Sequence, residues 1–322
     1  MTFVRTVLGD VEPADLGPTY AHEHIQIGPG GIVDQHPDML LDDPEQAIAE
    51  LEPARSLGLA AVVDALPSGG GRRIGALAEI SRRSGIHVVA STGLHLARYY
   101  AADHWSATAP AEAIAGHFCA DVREGIDERD DLGPDTARTP HRAGVVKVAG
   151  GAPRLSDRDR RVFEAATATH RETGAPILTH CSDGLAALEQ LEILAGHGVD
   201  PGHVILSHTD KVVERGYHRD ILSTGAFVEY DQAFRWQVGQ DNGTLRLLGW
   251  MLEDGFGDRL MLGLDAARQG YWTTYGGSPG MTFLLGAFAA AMRGHGIDDE
   301  AQRAIFVGNP ARAFRFAAQQ RV

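Results

Sequence analysis

A short apolar run followed by a longer amphipathic stretch recurs along most of this 322-residue chain. Eight such runs are predicted as strands: Tyr20–Ile25, Ala60–Ala65, His87–Thr92, Gly144–Val148, Ala175–His180, His203–His208, Ala226–Tyr230 and Leu260–Asp265. Most are rich in Val, Ile and Leu, as strands covered on both faces must be. Helices are predicted between them. Asp43-Pro44 offers an N-cap and a first-position proline for a helix to about Leu57. Further helices are expected over Arg72–Arg83, Ala111–Glu124, Ser156–Glu172, Asp183–Ala195, Thr244–Leu252 and Met281–Met292, with a last amphipathic segment from Asn309-Pro310. Strand–helix alternation calls for a parallel sheet with right-handed crossovers. Eight units predict a closed (β/α)8 barrel, a TIM barrel, as one domain over residues 1–322. A doubly wound open sheet is the alternative. It would carry a GxGxxG turn after an early strand, and Gly69-Gly70-Gly71 is only a flexible loop. Asp127–Pro140, charged and containing Gly and Pro, reads as a solvated loop.

Composition narrows the partners. The net charge of −14, from 43 acidic against 29 basic residues, argues against nucleic acid or an anionic membrane surface. No stretch of about 20 apolar residues suggests a membrane span. The start has no apolar core of a signal peptide. The two cysteines, Cys119 and Cys181, form neither a CxxC pair nor a disulfide framework. The expectation is a cytoplasmic protein with reduced thiols.

In such barrels function sits at the C-terminal ends of the strands. The first strand ends in His22-Glu23-His24, whose alternate side chains share a face. The fourth carries Lys147 inside Val145-Val-Lys-Val148, the fifth ends in Thr179-His180-Cys181, the sixth in Leu206-Ser-His208, and the eighth in Gly263-Leu-Asp265. Each has a plain alternative: a hydrogen-bonded core histidine, a snorkelling lysine or a capping aspartate. All of them falling at strand ends by chance is much harder to accept. Four histidines and an aspartate suit zinc, manganese or cobalt and exceed what one zinc takes. They fit two divalent ions. An ammonium has no lone pair, so Lys147 must be converted to an anion to take part. Glu23 is expected to be structural, and Cys181 to be packing.

This order of residues resembles the phosphotriesterase family of the amidohydrolase superfamily, and the match spans nearly the whole chain. The resemblance implies a binuclear metal centre, with zinc first and manganese or cobalt as alternatives. His22, His24 and Asp265 would hold one ion and His180 and His208 the other, bridged by a Lys147 carbamate. It also implies hydrolysis by hydroxide shared between the ions, with Asp265 as catalytic proton carrier, and a homodimer. Ser91-Thr-Gly-Leu-His95, Tyr99-Tyr100 and the stretch Gly263–Trp272 with Tyr275–Gly280 resemble the subgroup that opens lactones, including phosphorylated sugar lactones. There Arg268 and Tyr271, spaced Asp-x-x-Arg-x-x-Tyr, match residues that bind the substrate phosphate. Arg235 is the nearest candidate for a third basic contact, and His95 and Tyr99 would line the pocket. The expected partner is a small ester or lactone. Rival readings are a phosphotriesterase or aryl-ester hydrolase, an acyl-homoserine lactonase, and a barrel that binds a metal or ligand without turnover.

Overall fold

The computed structural model describes residues 2–130, 136–236 and 241–318. An antiparallel hairpin comes first, β1 (Val4–Thr6) and β2 (Gly9–Val11). Eight strands then form one parallel sheet: β3 (Thr19–Glu23), β4 (Ala61–Asp64), β5 (His87–Leu94), β6 (Val145–Gly150), β7 (Ile177–Cys181), β8 (Val204–Ser207), β9 (Phe227–Tyr230) and β10 (Leu260–Leu262). Each lies beside its neighbour in sequence, from β3 to β10. The eight predicted strands are these eight, so the barrel expectation holds.

The seam between the last strand and the first is closed by specific bonds. The Asp265 N–H donates to His22 O at 3.0 Å, and the Leu264 N–H to Glu23 Oε1 at 2.8 Å. Glu23 is fully buried there and serves as a clasp.

The helices are α1 (Gly31–Gln35), α2 (Pro44–Ser56), α3 (Ile74–Ser84), α4 (Ala111–Arg123), α5 (Asp157–Thr173), α6 (Ala187–Gly196), α7 (Arg215–Ser223), α8 (Gly243–Glu253), α9 (Ala289–Gly294), α10 (Asp299–Arg303) and α11 (Asn309–Ala313). Local chemistry sets several ends. Asp43 accepts from the Glu45 N–H at 2.9 Å ahead of Pro44. Ser156 and Asp159 form a capping box on α5, and Gly174 ends it at φ 78°.

Four expectations are corrected. The helix predicted over Arg72–Arg83 starts at Ile74, because Arg72 is drawn inward to Asp121 and Asp130. The helix predicted from Asp183 starts at Ala187, since Asp183 adopts φ 54° in a separate turn. The helix predicted from Met281 begins as a π turn at Leu284. Helix α7 was not expected at all. Its buried His218, Ile221 and Leu222 are spaced i, i+3, i+4, a helical pattern confined to about one turn and begun by a polar residue. Of the loop expected over Asp127–Pro140, residues 131–135 lie outside the described residues.

Two apolar layers result. Helices pack on the outside of the sheet. Inside the barrel, Ala21, Val63, Val89, Val145, Leu178, Ile205, Phe227 and Met261 supply one residue from each of the eight strands, plugged from below by Val4, Leu16 and Phe314. Side chains alternate along a strand, so the residues two positions further on also point inward. On β6 to β10 those positions are Lys147, His180, Ser207, Glu229 and Gly263. The inner face is thus apolar at its base and polar at its C-terminal end. Gly93 pairs with Lys147, and a Cβ there would sit 1.8 Å from the Lys147 carbonyl, so only glycine lets β5 and β6 meet at this level.

Arg72 and Asp121, both buried, centre an ionic cluster beside α4, in which Asp121 also accepts from Thr92 Oγ1 at 2.8 Å and Arg138 at 3.1 Å. Removing Asp121 leaves Asp130 alone to face the buried Arg72 guanidinium and takes the shared acceptor from Thr92 and Arg138. Asp121→Ala is expected to cost about 3–5 kcal/mol of stability, read by chemical denaturation. A loss below about 1 kcal/mol would contradict it. Among the described residues, no helix is long and apolar enough to cross a membrane.

Candidate metal centre

Above the apolar plug, the strand ends open into a cleft of about 430 Å³. His22, His24, Lys147, His180, His208 and Asp265 all line it. The strand geometry needs two local irregularities to bring them together. A register shift in β3 between Tyr20 and Glu23 turns both His22 and His24 into the barrel. On β8 regular alternation points Ser207 inward, and His208 reaches the cleft only because it adopts φ 65°. Asp265 likewise sits at φ 49°. Left-handed backbone at such residues is strain held by the surrounding structure, and it clusters at functional sites.

The six groups converge. Ring centroids lie 5.5 Å apart for His22 and His24, 4.8 Å for His22 and His208, and 4.5 Å for His180 and His208. An Asp265 carboxylate oxygen stands 3.3 Å from His24 Nε2 and 3.9 Å from His22 Nε2. Lys147 Nζ is 3.4 Å from His22 Nε2. The structure therefore brings together all six residues singled out from the sequence as ligands.

Their electrostatics suit cation binding. Burial, with the charges of Lys147 and His208, holds the His22 ring well below the usual imidazole range. Burial and the neighbouring His208 and His95 do the same to His180. These rings are neutral, with lone pairs free for a metal. Burial pushes the Lys147 ammonium down to about 8. Burial would raise Asp265, but the His24 hydrogen bond and the charges of His208 and Arg235 hold its carboxyl well below the usual range. His22, His24 and Asp265 bring ligand atoms within 4.8 Å of one another. The donor set fits divalent transition ions.

Sequence reasoning missed the residues behind the ligands. Glu229 and Asp231, two apart at the end of β9, are fully buried. Asp231 Oδ2 lies 2.5 Å from His208 Nδ1, and Glu229 Oε2 3.3 Å from His22 Nδ1. Ser207 Oγ reaches the same His22 Nδ1 at 3.0 Å. Burial and the charges of Asp231 and Asp210 push the Glu229 carboxyl well above its ordinary range. The signal was present: acidic residues at i and i+2 in the apolar run Phe227-Val-Glu-Tyr-Asp231. Lys211 and Gln232 also line the cleft and were not singled out.

The expected substrate contacts stand around the mouth. Arg268 lines the cleft and donates to Asp38 Oδ2 at 2.6 Å. The Tyr271 ring packs edge-on against Phe234, 4.9 Å between centroids. Arg235 is occupied differently from what its position suggested. Its guanidinium donates to Asp231 O at 2.6 Å, Leu264 O at 3.1 Å and Asp265 O at 2.9 Å. It clamps the end of the last strand and presents only its remaining N–H groups to the cleft. His95 packs 4.9 Å from His180 and 4.6 Å from Tyr99. Its Nδ1 accepts the Leu96 N–H at 2.8 Å, so the neutral ring carries its hydrogen on Nε2, as a donor.

Known proteins share this fold and much of the sequence. A sequence model of the phosphotriesterase family matches residues 2–314. A phospho-furanose lactonase of Mycoplasmopsis agalactiae is 31% identical, over 98% of this chain and 92% of that protein. The solved structure of an amidohydrolase from Mycoplasma synoviae superposes with TM-score 0.93 at 29% identity, covering 99% of this chain and 93% of the other. That of a lactonase from Listeria monocytogenes gives 0.90 at 28% identity, covering 98% and 100%.

Proposed function

This chain belongs to the phosphotriesterase family, and from that premise we propose that it is a metal-dependent hydrolase that opens lactones, phosphorylated sugar lactones first among them. The observation that carries the reading is the convergence of four imidazoles, one carboxylate and one buried amine at the strand ends. His22, His24 and Asp265 would hold one divalent ion, and His180 and His208 the other. Zinc is the first choice, with manganese or cobalt as alternatives. Lys147 would bridge them as a carbamate: its neutral amine adds to carbon dioxide, forming an N–C bond and releasing a proton. Two such ions, when bound, lower the pKa of water and polarise a carbonyl.

The protein's own groups do the rest. Asp265, ionised at neutral pH and oriented by His24 and Arg235, takes the proton of the attacking water and returns it to the leaving alkoxide. His95 offers its Nε2–H to substrate oxygen. Arg268 and Tyr271 hold a remote anion, with Arg235 contributing charge more than direct contact. That contact spends binding energy on orientation. Arg suits a bidentate phosphate. The whole chain acts as one catalytic barrel. A cytoplasmic location and a homodimer belong to the same reading, and light scattering tests the latter.

The test is metal content by plasma emission, together with hydrolysis of neutral and phosphorylated lactones and of phosphotriesters. About two ions per chain with preference for phosphorylated lactones supports the reading. Turnover of phosphotriesters alone, or no metal after growth with zinc or manganese, overturns it.

Because Asp38 already holds one nitrogen of Arg268, an incoming anion competes with it for the guanidinium. Arg268→Ala is expected to raise KM for phosphorylated lactones about tenfold, a loss of order 1.4 kcal/mol, and to leave neutral lactones nearly unchanged. Asp38→Ala should lower KM for the same phosphorylated substrates. Equal effects on both substrate classes would exclude an anion-binding Arg268.

A further inference from the structure

The end of β9 carries none of the six residues read above as ligands, yet it buries two carboxyl groups against the site, Asp231 close enough to His22 and His208 to join them on an ion. Asp231 meets the Nδ1 of His208, and Glu229 the Nδ1 of His22. Strand alternation puts the two acids on one face. One strand thus backs one ring from each half of the centre.

Glu229 is the less explained of the two. The side chain is fully buried, Oε1 has no hydrogen bond among the described residues, and the His22 Nδ1, 3.3 Å from Oε2, is a long contact. Such a group is costly unless it has a task. Packing here is tight: a Cβ at Gly263 would lie 2.7 Å from Glu229 Oε1 and from the His22 carbonyl oxygen.

The task follows from the competition at His22 Nδ1. Ser207 Oγ lies 3.0 Å away and Glu229 Oε2 3.3 Å. If the serine hydroxyl donated to Nδ1, the ring hydrogen would sit on Nε2, the nitrogen that faces Lys147 and Asp265. That tautomer has no lone pair to offer at the site. An acceptor oxygen beside Nδ1 reverses the outcome. Glu229 Oε2 keeps an acceptor lone pair whether or not the group carries a proton on its other oxygen.

We propose that Glu229 is a positioning residue: its Oε2 holds the Nδ1 hydrogen of His22 and thereby turns the Nε2 lone pair of that ring toward the metal. The inference rests on the metal-hydrolase reading above. Partners of this kind are typically worth 10- to 100-fold in metal affinity. Ser207 Oγ, 3.0 Å from the same nitrogen, then accepts a share of that hydrogen and is dispensable for the tautomer.

The experiment compares wild type, Glu229→Gln, Glu229→Leu and Ser207→Ala. Zinc affinity is measured by chelator competition, and the His22 tautomer of the metal-free protein by 15N NMR, assigned with His22→Asn. Glutamine keeps an acceptor oxygen, so Glu229→Gln should bind zinc within about threefold of wild type. Glu229→Leu should bind 10- to 100-fold more weakly and shift His22 toward the Nε2–H form. Ser207→Ala should match wild type in both. The wild-type tautomer needs no variant, so the test survives a Glu229→Leu protein that does not fold: an Nε2–H tautomer in wild type overturns the proposal. So does wild-type affinity in Glu229→Leu, or a loss confined to Ser207→Ala. Wild type that binds no zinc at all brings down the metal-hydrolase reading, and this proposal with it.

Discussion

Lys147→Ala is expected to yield a folded barrel that retains little metal and loses about three powers of ten or more in kcat/KM, since the bound ions supply several kcal/mol of transition-state stabilisation. The argument is one of charge. Lys147 lies inside the barrel beside His22, and burial has already pushed its ammonium down to about 8. A substantial share of the amine is therefore neutral at mildly alkaline pH, and only the neutral form adds to carbon dioxide. Without the resulting anion, neutral imidazoles and a single carboxylate must hold two dications. The alanine variant should fold, because it removes a buried ammonium whose desolvation costs the apo protein. Its apo melting temperature should match or exceed that of wild type. Plasma emission reads the metal and lactone hydrolysis the rate. Metal loading of wild-type apo protein should also be faster with added bicarbonate and at pH 8.5 than at pH 6.5. Near-normal metal content in Lys147→Ala would sink the bridging role.

Asp265→Asn should be nearly as damaging to rate and milder on metal. Asparagine keeps an oxygen toward the His22–His24 side but cannot carry a proton. The expected fall in kcat is about 10²–10⁴-fold, with at least half the wild-type metal retained. Arg235 still holds the backbone of residue 265 through its carbonyl, so the left-handed turn persists. Asp265 is held ionised well below the usual carboxylate range, so the wild-type rate should show no decline from its protonation between neutral pH and about pH 5. A variant with wild-type kcat would remove Asp265 from proton transfer.

Much of this molecule can be read from its chain, for identifiable reasons. Strands buried on both faces announce themselves as runs such as Val145-Val146 and Val88-Val89, and an imidazole or amine breaking such a run at its end is conspicuous. What stayed hidden depends on contacts between distant segments. Glu229 and Asp231 are a plain acidic pair until β8 and β3 bring His208 and His22 against them. Arg235 looks like a substrate contact until the end of β10 claims its hydrogen bonds. Helix α7 hides its few buried residues among polar ones. The hairpin β1–β2 is too short, at three residues a strand, to carry a period. The inward turn of His208 rests on one left-handed residue that no spacing rule foretells.

The seam of the barrel has a bearing on biosynthesis. Asp265 and His22 share a backbone hydrogen bond as well as a prospective ion, and Glu23 fastens the segment just past β10 to the first barrel strand. More than 240 residues separate these partners. A ribosome must release the chain as far as Asp265 before both bonds can form. If His22, His24 and Asp265 hold an ion as proposed, that ion cannot be captured until Asp265 has left the ribosome, long after its two histidine partners.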